Sequence, residues 1–313
     1  MLRSRITAAA AAFALCTTLA SALPASAAAP PTLPLADAQS DVGSLHVLRF
    51  GKAGDPIVLL PGLTTGPWEW ADLIRRLSPR YTVYAIGLPG FDGRPAATPP
   101  LFDRFARDFW TLLDVQKIAR PLVIGHSLGG TLAIALAEEH PERLRGVVAL
   151  EGLPIIPGME RMTAEQRLQT AAQMSAPMAL ESRDQFLAYE QTYMRGPFGV
   201  LDGSLAAPLA EFEARSDPAS VAQWLKEDVG GDLRPGLSRI TVPLLEIVPY
   251  NGPDVAGSAN PYTEDQKVAY YRALLNGAPR LQLVPVSPAR HFAMYDQPDR
   301  VFAIIDAFLN ATR

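Results

Sequence analysis

The sequence predicts an α/β fold, a mainly parallel β-sheet covered on both faces by helices and interrupted by an inserted helical segment. Short apolar runs of strand type alternate with helical stretches, which predicts the sheet. One such run, 121–124, passes through Gly125-His126-Ser127-Leu128-Gly129 directly into an apolar helical stretch. The alternation stops after Glu151 and resumes near Val242, which predicts the insertion. A chain of 313 residues, 48% hydrophobic and 19% charged, suits one large globular domain of this kind.

Residues 1–27 have the pattern of a secretory signal peptide. A positively charged start is followed by an apolar run over 6–19, too short to span a bilayer, and by the small residues Ala25-Ser26-Ala27. Cleavage after Ala27 or after Ala29 fits the pattern equally well. We therefore expect a secreted or periplasmic protein with no stable membrane insertion after cleavage. Cys16 is the only cysteine, so the mature chain would carry no thiol or disulfide.

After the signal peptide we expect a linker over 28–42, an α/β core formed by 43–152 together with 236–313, and a helical cap over 153–235. The strand-type runs of the core are short: 44–50 alternates, and 57–60 is continuously apolar, as a buried strand is. In chain order these runs are 44–50, 57–60, 81–86, 121–124, 144–150, 242–248 and 280–286.

Helical stretches follow most of these strands and carry their own start signals. Pro67 begins a stretch to residue 77, and residues 101–118 place their phenylalanines on one face. The stretch after Ser127 has no breaker until Pro141. Thr263 and Gln266 form a capping box for a helix to about residue 276, and a closing helix covers 298–309. Strand and helix alternating at this spacing indicate a parallel sheet with both faces covered.

The cap segment, 153–235, contains no convincing strand but four helical stretches, over 163–174, 177–194, 206–215 and 219–229. It also holds five methionines and several aromatic residues. Most of these side chains fit the cap's own core. Met178 and Tyr193 are our candidates for a minority that lines an apolar substrate pocket, for which flexible methionine is suited. This composition predicts a preference for short to medium apolar acyl groups.

The segment around Ser127 has the features of a nucleophile elbow. A strand, a sharp turn with serine at its apex and a helix follow one another, and Gly125 and Gly129 stand where the turn leaves no room for a Cβ atom. The alternative is a glycine-rich turn whose serine only caps the helix. The two interpretations are separated by whether the chain also supplies a histidine and an acid.

His291 is the candidate base among the four histidines, His46, His126, His140 and His291. It alone follows a late strand at the carboxyl edge of the sheet, the edge that also carries Ser127. A base in this position predicts a pH profile governed by one ionisation near or somewhat above 6.5. The four histidines have no metal-ligand spacing, so we expect no metal and no other cofactor.

Two carboxylates could orient His291. Asp254 follows the strand that ends near Val248, precedes His291 in the chain and is our first choice. Glu151, at the end of the strand before the cap, is the rival. If Asp254 is the acid, replacing it by asparagine should cost far more activity than replacing Glu151 by glutamine.

The backbone amides of Leu63 and Leu128 are the candidate oxyanion hole. Leu128 begins the helix after the elbow, where amides point at developing negative charge. Leu63 follows the Pro61-Gly62 turn at the end of the 57–60 strand, and Gly62 lets the backbone come close. Trp68 follows this loop, and we expect it to line the acyl site.

The order of Pro61-Gly62-Leu63, Gly125-His126-Ser127-Leu128-Gly129-Gly130, an acid and His291-Phe292 resembles the α/β-hydrolase superfamily. More closely it is similar to the lid-bearing bacterial serine esterase and lipase branch, including perhydrolase-like proteins. The resemblance covers about residues 43–311, weakly in 153–235, and implies an eight-stranded sheet and a Ser–acid–His triad. Pro61 stands where the family usually has histidine, and the His-Gly-Gly-Gly form is absent.

These observations lead us to expect a secreted or periplasmic serine hydrolase that cleaves carboxylic esters of small to medium apolar acyl groups through an acyl-enzyme. Acyl transfer, lactone or amide cleavage and cofactor-free perhydrolysis are alternatives, and a non-catalytic binding protein on the same scaffold is a further one. The net charge is −4 and no basic run occurs, so no footprint for nucleic acid is present. The expected partner is a small-molecule ester.

Overall fold

The computed structural model describes residues 31–258 and 260–312, and the predicted signal peptide of residues 1–27 lies outside them. The described chain forms one eight-stranded sheet with helices packed against it, which confirms the predicted fold class. The strands are β1 Ala38–Val42, β2 Leu45–Phe50, β3 Pro56–Leu60, β4 Thr82–Gly87, β5 Leu122–His126, β6 Gly146–Leu150, β7 Leu244–Pro249 and β8 Leu281–Val286.

The strand order across the sheet is β1-β2-β4-β3-β5-β6-β7-β8. β1 and β2 are antiparallel to each other, and β2 is antiparallel to β4. All pairs from β4 to β8 are parallel. The loops that follow β3, β5, β6, β7 and β8 therefore leave from one edge of the sheet, where side chains distant in sequence can meet.

The sheet begins earlier than the sequence predicts. We expect a linker over residues 28–42, but Ala38–Val42 pairs with β2, with Ala38 opposite Arg49 and Val42 opposite Leu45. β1 is an edge strand in which only Val42 is buried. The assignment of residues 38–42 to a linker is therefore wrong. The segment has no apolar run because a strand at this edge of the sheet needs only one buried residue.

The buried strands place alternate residues in two cores. In β3, Ile57 and Leu59 pack into one apolar cluster and Val58 and Leu60 into the other, on opposite faces of the sheet. A strand covered on both faces is apolar at every position. This is why the 57–60 run could be recognised from its composition.

Eleven α-helices occur among the described residues, and none is long and apolar enough to cross a bilayer. They are α1 Ala71–Leu77, α2 Leu101–Val115, α3 Leu128–Glu139, α4 Ala164–Ser175, α5 Arg183–Arg195, α6 Gly203–Glu213, α7 Pro218–Gly230, α8 Gly252–Ala256, α9 Glu264–Leu274, α10 Ala293–Asp296 and α11 Pro298–Ala311.

The segment predicted to be a cap, which we continue to call the cap, contains α4 to α7, and these pack in two pairs, α4 with α7 and α5 with α6. Capping boxes at Thr163 and Ser182 begin α4 and α5, and the side chains of Asp202 and Asp217 cap α6 and α7. Where the cap joins the core, the amide of Leu233 donates to the carbonyl of Pro154 at 2.7 Å. The inserted segment therefore leaves and re-enters the core at nearly the same place.

Candidate active site

Ser127 lies at the apex of a tight turn between β5 and α3. Its φ is +50° and its ψ −121°, a conformation that L-residues seldom adopt. A Cβ atom at Gly125 would lie 2.1 Å from the carbonyl oxygen of Gly129, and one at Gly129 would lie 2.4 Å from that of Leu60. The two glycines therefore allow α3 to pass close to β5 and β3. This strained strand–turn–helix geometry is that of a nucleophile elbow.

His291 pairs with Glu151. The Nδ1 atom of His291 lies 2.7 Å from Oε2 of Glu151, and both side chains are 13% exposed. With Nδ1–H donating to the carboxylate, Nε2 is the nitrogen that can accept a proton. His291 and Ser127 line the same cavity, so the structure joins a serine, a histidine and an acid at one edge of the sheet.

The expectation that Asp254 orients His291 is wrong in this structure. Asp254 lies in α8 and forms a two-pronged ion pair with Arg290, whose Nη2 and Nε donate to its two oxygens at 2.7 and 2.8 Å. Arg290 also donates to the carbonyl of Val200 at 2.9 Å. Arg290 thus attaches the His291 loop both to α8 and to the chain between α5 and α6. Glu151, the rival in the sequence, holds the position beside the imidazole.

Two groups hold Glu151 besides His291. Nζ of Lys267 donates to Oε1 at 2.6 Å and the hydroxyl of Tyr271 donates to the same oxygen at 2.8 Å. Lys267 also donates to the carbonyl of Pro249 at 2.7 Å. The ammonium of Lys267 and the hydrogen bond from His291 lower the pKa of Glu151 far below its usual range, although burial alone would raise it. Glu151 is therefore an ionised carboxylate fixed in place.

Burial lowers the pKa of His291, and the charges of His126 and Lys267 lower it further, while Glu151 acts in the opposite direction. The sequence predicts a pKa of His291 near or somewhat above 6.5. In the structure the side chain is largely buried, and Lys267 lies on the far side of its carboxylate partner Glu151. The direction of the shift is therefore downward. It leaves the imidazole neutral, and able to act as a base, into mildly acidic solution.

Leu63 and Leu128 both line the cavity that contains Ser127. Leu128 is the first residue of α3, where the amides of an α-helix have no acceptor within the helix. Leu63 lies in the loop between β3 and the 3-10 helix Pro67–Trp70, followed by Thr64 at φ +68°. The structure therefore places both predicted oxyanion residues at the cavity that Ser127 lines.

Glu69, which the sequence analysis did not single out, holds this loop. Its buried carboxylate accepts hydrogen bonds from the amide of Gly62 at 3.0 Å and from the hydroxyl of Thr65 at 3.1 Å. Its other oxygen lies 2.5 Å from Nδ1 of His126. The only signal in the sequence is an acidic residue between two tryptophans, and that pattern does not reveal that Glu69 points inward.

His126 connects the loop of Glu69 to the loop of His291. Its Nε2 atom lies 3.1 Å from the carbonyl oxygen of His291, and the two rings are 4.6 Å apart. Both ring nitrogens of His126 face acceptors, the carboxylate of Glu69 and the carbonyl of His291. The Glu69–His126 pair thus connects the oxyanion loop, the elbow and the candidate base.

The cavity beside Ser127 has a volume of about 310 Å³ and lies between the sheet edge and the cap. Met178 and Tyr193 line it, as the sequence predicts, together with Met174, Ile156 and Leu225. Three carboxyl groups, of Glu190, Glu213 and Asp228, also line it, which the sequence does not predict.

Trp68 is not among the residues that line this cavity. Its ring packs 5.1 Å from that of Phe212 on α6, within the core on one face of the sheet. The expectation that Trp68 lines the acyl site is therefore wrong, because the side chain joins the cap to the core instead.

Comparison with known proteins agrees with this architecture. The model of the Alpha/beta hydrolase family matches residues 57–304. The pimeloyl-[acyl-carrier protein] methyl ester esterase of Aeromonas hydrophila is 29% identical over 227 residues, which cover 65% of this chain and 86% of that protein. The 2-(acetamidomethylene)succinate hydrolase of Mesorhizobium japonicum is 25% identical over 281 residues, 87% of this chain and 94% of its own.

Solved structures show the same fold at lower identity. The enol-lactonase of Burkholderia xenovorans LB400 superposes with a TM-score of 0.69 at 21% identity, covering 87% of this chain and 100% of that one. A thermophilic esterase of Thermogutta terrifontis gives a TM-score of 0.69 at 17% identity, covering 88% and 99%. The family match spans most of the chain and includes Ser127, Glu151 and His291. The chain belongs to the alpha/beta hydrolase family and is a hydrolase of that fold.

Proposed function

We propose that the protein is a serine hydrolase that cleaves carboxylic esters through an acyl-enzyme. The observation that carries the proposal is the set of Ser127 on a strained elbow, His291 beside the same cavity and an ionised Glu151 at 2.7 Å from Nδ1 of His291. A serine hydroxyl needs a base to become a nucleophile, and this set supplies one.

In the proposed reaction the Oγ atom of Ser127 attacks the ester carbonyl as Nε2 of His291 takes its proton. The negative charge that forms on the carbonyl oxygen accepts hydrogen bonds from the amides of Leu63 and Leu128. His291 then gives the proton to the leaving alcohol, and the acyl group remains on Ser127. A water molecule, deprotonated by His291, attacks the acyl-enzyme; His291 then returns the proton to the departing Oγ of Ser127, and the carboxylic acid is released. Glu151 stabilises the imidazolium in both halves of the cycle.

The apolar side chains of the cavity support small to medium acyl groups, since a volume of about 310 Å³ accommodates only a compact substrate. Relatives are named for a methyl ester, a carbamate and a succinate derivative, and a structural neighbour for an enol-lactone. We favour a carboxylic ester, as in the name of the Aeromonas relative. The lining residues include three acids and no Lys or Arg, which disfavours a dicarboxylate such as a succinate.

The experiment that tests this proposal combines labelling with turnover. A fluorophosphonate should label the wild-type protein at Ser127, identified by mass spectrometry of its peptides. Ser127→Ala and His291→Ala should each reduce 4-nitrophenyl butyrate hydrolysis by about 10³-fold or more, because the triad acts as a unit. His140→Ala is the matched histidine control, since His140 is an exposed side chain paired with Glu142. A folded Ser127→Ala protein with wild-type turnover contradicts the proposal, as does a wild-type protein that is neither labelled nor active.

We also propose that the enzyme is exported, on the signal-peptide pattern of residues 1–27. The mature N-terminus of the protein recovered from the periplasm or the medium should be residue 28 or 30. Recovery of the full-length chain from the cytoplasm alone would contradict export without affecting the catalytic proposal.

A further inference from the structure

Two carboxyl groups of the cap, Glu190 on α5 and Glu213 on α6, are buried beside the nucleophile. Glu190 is 2% exposed and Glu213 is 0% exposed, and both line the cavity that contains Ser127 and His291. Within residues 31–258 and 260–312, both oxygens of Glu213 and the Oε1 atom of Glu190 are buried without a well-aligned N–H or O–H donor. The two carboxyls interact chiefly with each other, and the hydroxyl of Thr64 lies near Glu213. Two buried acids that have no positive partner are costly to a fold, so their presence requires an explanation.

The groups around these carboxyls do not neutralise them. Burial raises the pKa of Glu213 well above its usual range, and the neighbouring Glu190 raises it further, while the hydroxyl of Thr64 acts in the opposite direction. Burial likewise raises the pKa of Glu190 to about 7; the hydrogen bond with Glu213 opposes the rise and the charge of Glu181 adds to it. The cavity thus holds two acids with raised pKa values and no positive group among the neighbours that shift them.

Aromatic rings form one side of the same cavity. The rings of Tyr189 and Tyr193 are 6.2 Å apart and those of Tyr193 and Phe198 also 6.2 Å apart, each pair stacked. Phe198 meets His291 edge-on at 6.5 Å. The faces of tyrosine and phenylalanine attract cations. Acids and aromatic rings with no Lys or Arg among the lining residues make a cavity suited to positive charge.

From this arrangement we propose that the cavity binds an organic ammonium group, and that the esters cleaved at Ser127 carry such a group away from the scissile carbonyl. Glu190 and Glu213 accept hydrogen bonds from the ammonium, and the rings of Tyr189, Tyr193 and Phe198 surround its alkyl part. The claim that the ammonium is part of a substrate rests on the proposed ester hydrolysis. The claim that the cavity binds the cation does not depend on it.

The test compares n-pentylammonium with 1-pentanol, two probes of nearly equal length that differ in charge. Each is titrated as a competitive inhibitor of 4-nitrophenyl acetate hydrolysis at pH 8, and each is tested for thermal stabilisation of Ser127→Ala, which needs no turnover. We expect the ammonium to bind about 10- to 100-fold more tightly than the alcohol, the ratio that a hydrogen bond to a charged carboxylate supplies.

The variants Glu213→Gln and Glu190→Gln should each bring the ratio of ammonium to alcohol affinity close to one. If Glu213→Gln does not fold, Glu190→Gln provides the test. Glu211→Gln is the matched control, because it makes the same change of charge on the exposed side of α6 and should keep the wild-type ratio. The ratio is independent of any general loss of activity in a variant.

The inference is overturned if the wild-type protein binds the two probes equally, or if both glutamine variants keep the preference. In that case Glu190 and Glu213 are a proton-sharing pair internal to the cap. A protein that hydrolyses 4-nitrophenyl acetate and is labelled at Ser127 but shows no ammonium preference refutes this inference and leaves the proposed function standing. A protein with no esterase activity that still gains thermal stability from the ammonium refutes the proposed function and supports the cation site.

Discussion

Replacing Glu151 by glutamine should reduce kcat by about 10³-fold without unfolding the protein. The contact of 2.7 Å between Nδ1 of His291 and Oε2 of Glu151 places the charge centres about 4 Å apart when the imidazole is protonated. At an effective dielectric constant of about 20, two unit charges at this separation attract by about 4 kcal/mol. Because about 1.36 kcal/mol corresponds to a factor of ten in rate, removing the attraction costs about three orders of magnitude.

The assay is steady-state hydrolysis of 4-nitrophenyl butyrate, with thermal unfolding followed by circular dichroism to show that the variant is folded. Asp254→Asn is the matched control, since it also removes one carboxylate charge from a loop at the same edge. It breaks an ion pair with Arg290 rather than a contact with the base. We expect it to lower the free energy of unfolding by about 1–2 kcal/mol and to change kcat less than tenfold. A crippled Asp254→Asn with a nearly normal Glu151→Gln would refute the assignment of Glu151.

Three further predictions follow from the same site. The acid limb of kcat/KM should have its midpoint below 6.5, because the pKa of His291 is lowered and the neutral base persists to lower pH. Lys267→Met should move this limb to higher pH by removing a charge that lowers that pKa; a limb above 6.5 in the wild type, or no movement in the variant, contradicts the reasoning. Glu69→Gln should lower kcat by about 10- to 100-fold with little change in KM, since the oxyanion amide acts in the transition state; a variant that instead raises KM alone argues that Glu69 holds a substrate contact. Met178→Ala should shift preference in a series of 4-nitrophenyl esters toward acyl chains about two methylenes longer, each worth about 0.8 kcal/mol when buried; an unchanged profile with a lower Tm would place Met178 in the cap core.

The sequence predicts the core of the fold well because buried parallel strands are continuously apolar. β3 and β5 are examples of such strands. The turn at Ser127 could be recognised from the sequence because its geometry requires glycine at 125 and 129. β1 escaped recognition because an edge strand with a single buried residue has no such pattern. The capping box at Thr263, a purely local feature, was predicted and is present. Local chemistry and continuous burial are therefore the features of this chain that can be recognised without a structure.

The acid was not decided by the sequence because Glu151 and Asp254 both follow strands at the same edge. The choice depends on contacts between residues far apart in the chain. Arg290, next to His291, forms an ion pair with Asp254. Lys267 and Tyr271 on α9 bind Glu151. Glu190 and Glu213 escaped notice for a related reason. Acidic residues are ordinary on exposed helix faces, and only the packing of α5 against α6 turns these two inward.

The hydrogen bond between Leu233 and Pro154 at the base of the cap has a consequence for how far the inserted segment can change. Both ends of the inserted segment meet there, so the insertion is a closed loop on the core. The entropic cost of closing such a loop grows only slowly with the length of the segment. The segment can therefore be lengthened or shortened with little entropic cost to closing this connection. Glu151 lies three residues before Pro154, so the same junction that tolerates a new cap also carries the partner of His291. A chimera that keeps residues up to 154 and from 233 onward should retain the triad while acquiring the selectivity of the donor cap.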